Sequence, residues 1–182
     1  MNPKALIHGL RLLPHLSLPL MAGFLLCLPF GIAQALPTDK SQGMKVSSNS
    51  ASIDEKKGIT TLTGAVKLVQ GTLEINAEKI TLQYDKNKKL QSLVAEGAPA
   101  RYQQQPELEK AIIHAEANGI TYNLSKNFIT LDKNAFVEQQ GATTRGGRIN
   151  YDIAKGTISA SGSGTKTDRV EFVIPPQTDK KE

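Results

Sequence analysis

Four candidate turns share one pattern, an Asp or Asn followed three residues later by Lys, and their recurrence confines this chain to a fold built by repetition. The copies are Ile53-Asp54-Glu55-Lys56-Lys57-Gly58, Tyr84-Asp85-Lys86-Asn87-Lys88-Lys89, Tyr122-Asn123-Leu124-Ser125-Lys126-Asn127 and Tyr151-Asp152-Ile153-Ala154-Lys155-Gly156. Each opens on a large apolar residue, as a strand running into a turn does. The Asp or Asn can bond its own backbone two residues on, and a closing Gly or Asn tolerates positive φ. Anchors Asp54, Asp85, Asn123 and Asp152 lie 31, 38 and 29 residues apart, and the longest interval holds the polar insertion Gln103-Gln104-Gln105-Pro106-Glu107. A second set of anchors keeps similar spacing: Gly64-Ala65, Gly97-Ala98, Asn134-Ala135 and Gly162-Ser163.

Between anchors the residues alternate with period two, the mark of half-buried strands. Leu62, Gly64, Val66 and Leu68 share one face, with Thr61, Thr63 and Lys67 on the other. Leu73, Ile75 and Ala77 continue the pattern, and Ile80, Leu82 and Tyr84 resume it one step out of phase. Such a slip is what a bulge or corner produces, where a strand bends between sheet faces. Helical periodicity is nearly absent; residues 106–112 fit a single helical turn less well than a loop. Strands with turns at each end predict an all-β sandwich, jelly roll or barrel. Repeats without capping units leave open edges at both ends, and an open edge invites another strand.

The first 35 residues read as a cleavable leader rather than as part of the fold. Lys4 and Arg11 supply positive charge, Leu16 to Ile32 form an uncharged apolar core, and Ala33-Gln34-Ala35 gives a small-x-small cleavage site. Pro14, Pro19 and Pro29 interrupt the segment. Its apolar run is at the short limit of a membrane-crossing helix, so an uncleaved inner-membrane anchor is the alternative. Cys27 follows Leu26 rather than a small residue, which argues against lipoprotein attachment. Removing residues 1–35 from 182 leaves 147, enough for one domain with a sizeable core. The domain is expected over residues 36–174, followed by a disordered, charged tail over 175–182.

Little in the expected mature part supports enzymatic chemistry. It has no cysteine, and His114 is its one histidine, so neither a zinc site nor a Ser-His-Asp triad has its residues. Gly141 to Gly147 and Ser161-Gly162-Ser163-Gly164 are glycine-rich, but no helix start follows them to cradle a phosphate, and they read as turns. Arg145 and Arg148 are candidates for contact with a phosphate group, with a solvated turn the simpler reading. Losing Lys4 and Arg11 lowers the net charge from +5 to +3, and scattered aromatics without tryptophan offer no base-stacking surface. Nucleic acid, metals and organic cofactors are not expected.

The run Leu62-Thr63-Gly64-Ala65-Val66 through Gln70-Gly71-Thr72-Leu73-Glu74-Ile75-Asn76-Ala77-Glu78-Lys79 closely resembles the signature of the LptA/OstA family, the periplasmic lipopolysaccharide-transport bridge. So do Gly97-Ala98-Pro99-Ala100 and Phe136-Val137-Glu138-Gln139-Gln140, and the resemblance spans Met44 to Ile174. It implies an open, twisted β-jelly roll of many short antiparallel strands (OstA-like), repeat-built, with acyl chains of lipopolysaccharide held between the sheets. On that reading Leu62, Val66, Leu68 and Ile75, inward by alternation, are also lipid-binding. Met44, Val46, Tyr102, Tyr122 and Leu124 match family positions on the lipid-contacting interior or its N-terminal entrance, and Phe136 joins them. Tyr102 stands where the family pattern has phenylalanine, and its hydroxyl needs a polar partner if buried.

The resemblance further implies head-to-tail homo-oligomers through Val46 and Ser48 at one edge and Val170, Phe172 and Ile174 at the other. The strand Arg169 to Ile174 is expected to pair with Met44 to Asn49 of a neighbour. Its implied partners are lipopolysaccharide (lipid A), an inner-membrane transport component and an outer-membrane assembly component. A structural β-solenoid or adhesin module without lipid binding would fit the repeat alone, whereas a secreted hydrolase would need a catalytic constellation that the sequence does not offer.

Overall fold

The computed structural model describes residues 39–106, 110–164 and 169–176. The expected leader and most of the expected tail lie outside the described residues, as do residues 107–109 of the insertion. A short 3-10 turn, Asp39–Ser41, precedes ten strands. These are β1 (Lys45–Ser47), β2 (Ser50–Asp54), β3 (Ile59–Gln70), β4 (Leu73–Tyr84), β5 (Leu90–Gln104), β6 (Ile113–Asn123), β7 (Phe128–Gln139), β8 (Ala142–Asp152), β9 (Thr157–Ser161) and β10 (Glu171–Val173). All pair antiparallel in one sheet, in the order β1-β3-β4-β5-β6-β7-β8-β10. β2 lies beside β1 on the same flank of β3, and β9 beside β10 on the same flank of β8.

Each repeat turn closes as its sequence demands. Asp54 accepts the Lys57 amide at 3.0 Å, and Asp85 accepts the amides of Asn87 and Lys89, both at 2.9 Å. Asn123 accepts the Lys126 amide at 3.0 Å and Asp152 the Lys155 amide at 3.1 Å. One residue in each turn takes the left-handed conformation: Gly58 (φ 64°), Lys88 (60°), Asn127 (51°) and Gly156 (64°). The recurrent lysine has a second use at the outer turns, where Lys57 and Lys155 reach back to Asp54 and Asp152 at 3.2 and 3.0 Å.

The second set of anchors marks the corners. Pairing slips between Thr63 and Val66, Asn76 and Lys79, Glu96 and Ala100, Glu116 and Gly119, and Asp132 and Ala135. Each long strand therefore bends in the middle and acts as two short ones. Gly64, Ala65, Lys133 and Asn134 carry the positive φ that these bends require. Bending divides the sheet into two leaves. The turn leaf runs from the corners to the four repeat turns. The hairpin leaf runs the other way to the tight connections at Gly71-Thr72 and Gln140-Gly141 and to the insertion at 105–112.

A single sheet can bury one of its faces only by folding that face onto itself. Here it does. Leu68, Ile75 and Ala100 on the hairpin leaf and Ile80, Leu93, Ile120 and Ile149 on the turn leaf are all fully buried. The opposite face meets solvent and carries cross-strand ion pairs: Lys67–Glu74 and Lys79–Glu96 at 2.8 Å, Arg101–Glu116 at 3.0 Å, and Arg148–Asp132. Exposed pairs of this kind contribute at most about 1 kcal/mol each. They keep the outer face wet.

Two readings of local sequence are corrected. Gly141 to Gly147 is not a turn beyond Gly141; Ala142–Asp152 is a strand. Gly146 and Gly147 are there because backbone passes close by. A Cβ on Gly147 would lie 2.3 Å from the Ser163 nitrogen, and one on Gly146 would lie 2.9 Å from the Ser161 carbonyl oxygen. Arg145 and Arg148 are consequently strand residues of the outer face rather than turn residues.

Candidate functional site: an apolar groove between two leaves

The groove is built by alternation. Inward residues of the hairpin leaf meet inward residues of the turn leaf, and Tyr102 and Tyr122 touch across the gap, edge to face, with centroids 6.3 Å apart and planes at 86°. Leu62, Val66, Leu68, Ile75, Tyr102 and Tyr122 are buried in this interior, where alternation and motif position put them. Met44 and Leu124 are partly buried against it. Thr61, Lys67 and Gln83 have the opposite parity, and Lys67 and Gln83 are exposed.

Phe136 is the correction. It lies between the buried Ala135 and Val137, so its own side chain faces outward. There the Arg145 guanidinium sits 4.2 Å from its ring centroid, a cation–π contact on the solvent side. The motif that contains Phe136 was the right one, but its inward residue is Val137. His114 is exposed on the outer face, paired across strands with Gln103 and Glu138.

Sequence reasoning passed over many interior residues, among them Leu93, Ile113, Ile120, Ile129, Leu131 and Ile149. The period-two signal was present at each, for example Ile129-Thr130-Leu131 and Ile149-Asn150-Tyr151. It also missed Asp39, which no pattern announces. Asp39 accepts the Thr72 amide at 2.6 Å, the Thr72 hydroxyl at 2.7 Å and the Gln104 side-chain amide at 2.6 Å. Gln104 in turn accepts the Tyr102 hydroxyl, which supplies the polar partner that this buried phenol needs. Burial holds the Tyr102 hydroxyl well above its usual pKa, with Tyr122, Tyr151 and Asp39 adding to the shift. Burial, and then Asp39, likewise raises Tyr122. Both phenols are neutral at physiological pH. Among the described residues, no buried side-chain nitrogen or oxygen lacks a partner.

One cavity opens at the mouth of the groove, with a volume of about 530 Å³. Met44 and Gln70 line one side of it, and Tyr84, Leu90 and Leu124 the other. Gln70 and Tyr84 end opposite leaves, so this cavity opens between the leaf margins. The apolar floor also continues to both edges. Val46 pairs with Leu68 and Ile53 with Thr60 at one end. Ile158 pairs with Tyr151 and Phe172 with Thr144 at the other. Directly paired residues share a face, so all four point inward, and all four are exposed. Val170 and Ser48 are half-buried, and Ile174, just past β10, is exposed. β10 pairs with β8 of its own chain through Thr143–Arg145, using one of its two sides.

Residues 45–157 match the family described as LptA/(LptD N-terminal domain) LPS transport protein. The lipopolysaccharide export system protein LptH of Pseudomonas aeruginosa is 32% identical over 166 residues, 88% of this chain and 95% of that one. The lipopolysaccharide export system protein LptA of Haemophilus influenzae is 33% identical over 147 residues, 80% and 84% respectively. The crystal structure of LptH from Pseudomonas aeruginosa, described as the LptA homologous periplasmic component of the lipopolysaccharide transport device, superposes with a TM-score of 0.71. It is 30% identical and covers 77% of this chain and all of its own. Sequence, groove and neighbours agree, and the chain belongs to the LptA/(LptD N-terminal domain) LPS transport protein family.

Proposed function

We propose that this chain carries lipopolysaccharide through the periplasm, holding the lipid A acyl chains in the groove and bridging inner- and outer-membrane components. The observation that carries the reading is an apolar interior that opens in a cavity between the leaf margins and, among the described residues, leaves inward-facing apolar side chains exposed at both ends. Burying an apolar chain is worth about 0.8 kcal/mol per methylene, so a tail of about a dozen carbons resists entering water by roughly 10 kcal/mol. A continuous trough removes that barrier without covalent chemistry, because every position along it offers the tails the same apolar surroundings. The side opening lets the sugars stay in water. The role is transport rather than catalysis, and the direction of movement comes from the partners.

Head-to-tail assembly follows from the same edges. The free side of β10, flanked by β9, meets the free side of β1, flanked by β2, in a neighbouring copy or in the analogous edge of a membrane component. Val46, Ser48, Val170, Phe172 and Ile174 lie along that seam.

Site-specific photo-crosslinking tests the groove. A crosslinking side chain at Val46, Leu62, Val66, Tyr102, Tyr122 or Leu124 captures lipopolysaccharide, and one at Thr61, Lys67 or Gln83 does not. Equal capture from both sets, in variants that still unfold cooperatively, would place the lipid on the exterior and overturn the reading.

A further inference from the structure

The geometry points to a phosphate-binding site on the turn-leaf margin of the groove, centred on Lys88 and Lys89, which holds the phosphorylated head group of the amphiphile whose chains lie inside. The inference rests on the transport reading above and adds which end of the lipid is gripped, and where.

Charge is distributed unequally between the two margins of the opening. The four repeat turns, 54–58, 85–89, 123–127 and 152–156, contain seven lysines and four carboxylates. Among the described residues the opposite margin has one carboxylate, Asp39 at the Gly71-Thr72 connection, and one lysine, Lys110. Lys57 and Lys155 are occupied by their own Asp54 and Asp152. Lys56, Lys86, Lys88, Lys89 and Lys126 are exposed and make no ion pair among the described residues. Three of those five belong to the second turn. Its one carboxylate, Asp85, is engaged by the amides of Asn87 and Lys89 and by the Gln91 side chain at 2.9 Å.

The second turn, with the third, also lines the opening of the groove, and it is the one that brings lysines to it. Lys88 and Lys89 line the 530 Å³ cavity together with Met44, Leu90 and Leu124. Tyr84 and Lys88 also line a second cavity of about 650 Å³ between the first two turns, but Asp54, Glu55 and Asp85 line it too, so the anionic head is assigned to the 530 Å³ opening. Apolar walls with lysines at the rim suit an amphiphile with an anionic head, since lysine meets phosphate as a mobile point charge.

Backbone conformation supplies an independent observation. The left-handed residue is Gly or Asn in the other three turns, but here it is Lys88 at φ 60°. A lysine gains nothing conformationally from that position and is strained by its Cβ. Lys133 takes the same conformation at a corner, but at Lys88 the other three turns show that Gly or Asn meets the backbone's need, so the lysine is there for its side chain. Successive turns along the margin are two strand spacings, about 10 Å, apart, so Lys56 and Lys126 flank the site as neighbouring contacts for a lipid moving along the trough.

Replacing Lys88 separates use from structure. Lys88→Gly removes the charge and relieves the strain, so the thermal midpoint of the full chain holds or rises. Its affinity for lipopolysaccharide falls roughly fivefold, while its affinity for phosphatase-treated lipopolysaccharide is unchanged. Lys88→Arg keeps the discrimination between the two lipids, and Lys155→Gln, which removes a lysine already paired, leaves both affinities unchanged. An equal loss for both lipids, or no loss for either, would overturn the site. Partial displacement of the lipid by millimolar inorganic phosphate, lost in Lys88→Gly, supports the head-group assignment, whereas phosphate that binds at Lys88 and leaves lipid affinity unchanged would overturn it in favour of a free-phosphate site. Failure of the parent chain to bind either lipid would overturn the transport reading itself, and this proposal with it.

Discussion

The middle of the sheet and its two edges are made of the same alternating strands, yet they treat their inward residues differently. In the middle, Leu68, Ile75, Leu93 and Ile120 are fully buried. At the edges, inward-facing Ile53 and Phe172 are 69% and 61% exposed. Nothing in the alternation changes from one to the other; the sheet simply stops, and the core stops with it. An ordinary β domain covers or charges such ends. This one leaves apolar floor in view at both. Stability therefore resides in the middle, and the proposed assembly would use the edges.

The sharpest test of that division is a pair of truncations. Ile75→Ala in the middle should cost roughly 2–5 kcal/mol, because a cavity opens where nothing can collapse into it. Phe172→Ala at the edge should cost less than about 1 kcal/mol, since little area leaves the core. Denaturant midpoints compare the two, and similar losses would erase the distinction between middle and edge.

Deleting residues 165–174 should sharpen it from the other side. The protomer keeps its midpoint to within about 1 kcal/mol, and head-to-tail association weakens by at least about tenfold in sedimentation. Unchanged oligomers would mean that the seam lies elsewhere.

The repeat turns belong energetically with the middle. Asn123→Ala should lower stability by about 1 kcal/mol through loss of the bond to the Lys126 amide, without altering association. A change in oligomer size with that variant would show that turns and edges are coupled.

The smallest effect expected is acid sensitivity. The Lys67 ammonium, with Asn76, holds the Glu74 carboxyl below its usual range, and Lys155 does the same for Asp152. A depressed folded-state pKa gives stability that is present above the unfolded value and lost as pH falls through the folded one. The unfolding midpoint should therefore decline below about pH 4, and Glu74→Gln should flatten that decline. Both groups are solvent-facing, so the slope is shallow. Edge association should show no matching step, because neither carboxylate lies on an edge strand.

The sequence was most readable where physics repeats. Asx chemistry at Asp54, Asp85, Asn123 and Asp152 named the turns, and period two named the inward faces of β3 and β4. The slip between Ala77 and Ile80 announced a corner, which the pairing shift between Asn76 and Lys79 realises. Phe136 was misread because a motif carries residues of both faces, and an aromatic beside a valine attracts the eye whichever way it points. Gly146 and Gly147 read as a turn because glycine's other use, letting backbone pass close, leaves no local trace. The Asp39 bonds were out of reach for a related reason. They join residues 33 and 65 positions apart in the chain, and no spacing rule spans such a gap.

The path from β1 to β10 has eight members, each antiparallel to the next. Eight is even, so the first and last strands run in opposite directions. A copy displaced along the sheet without being turned over thus presents β1 antiparallel to β10, and the alternation passes the joint unbroken. With one strand more or fewer, an unturned copy would meet its neighbour in parallel, with a different hydrogen-bond ladder. Parity thus makes the proposed head-to-tail row geometrically continuous, and a domain ending in a strand of matching sense would fit at either end of it.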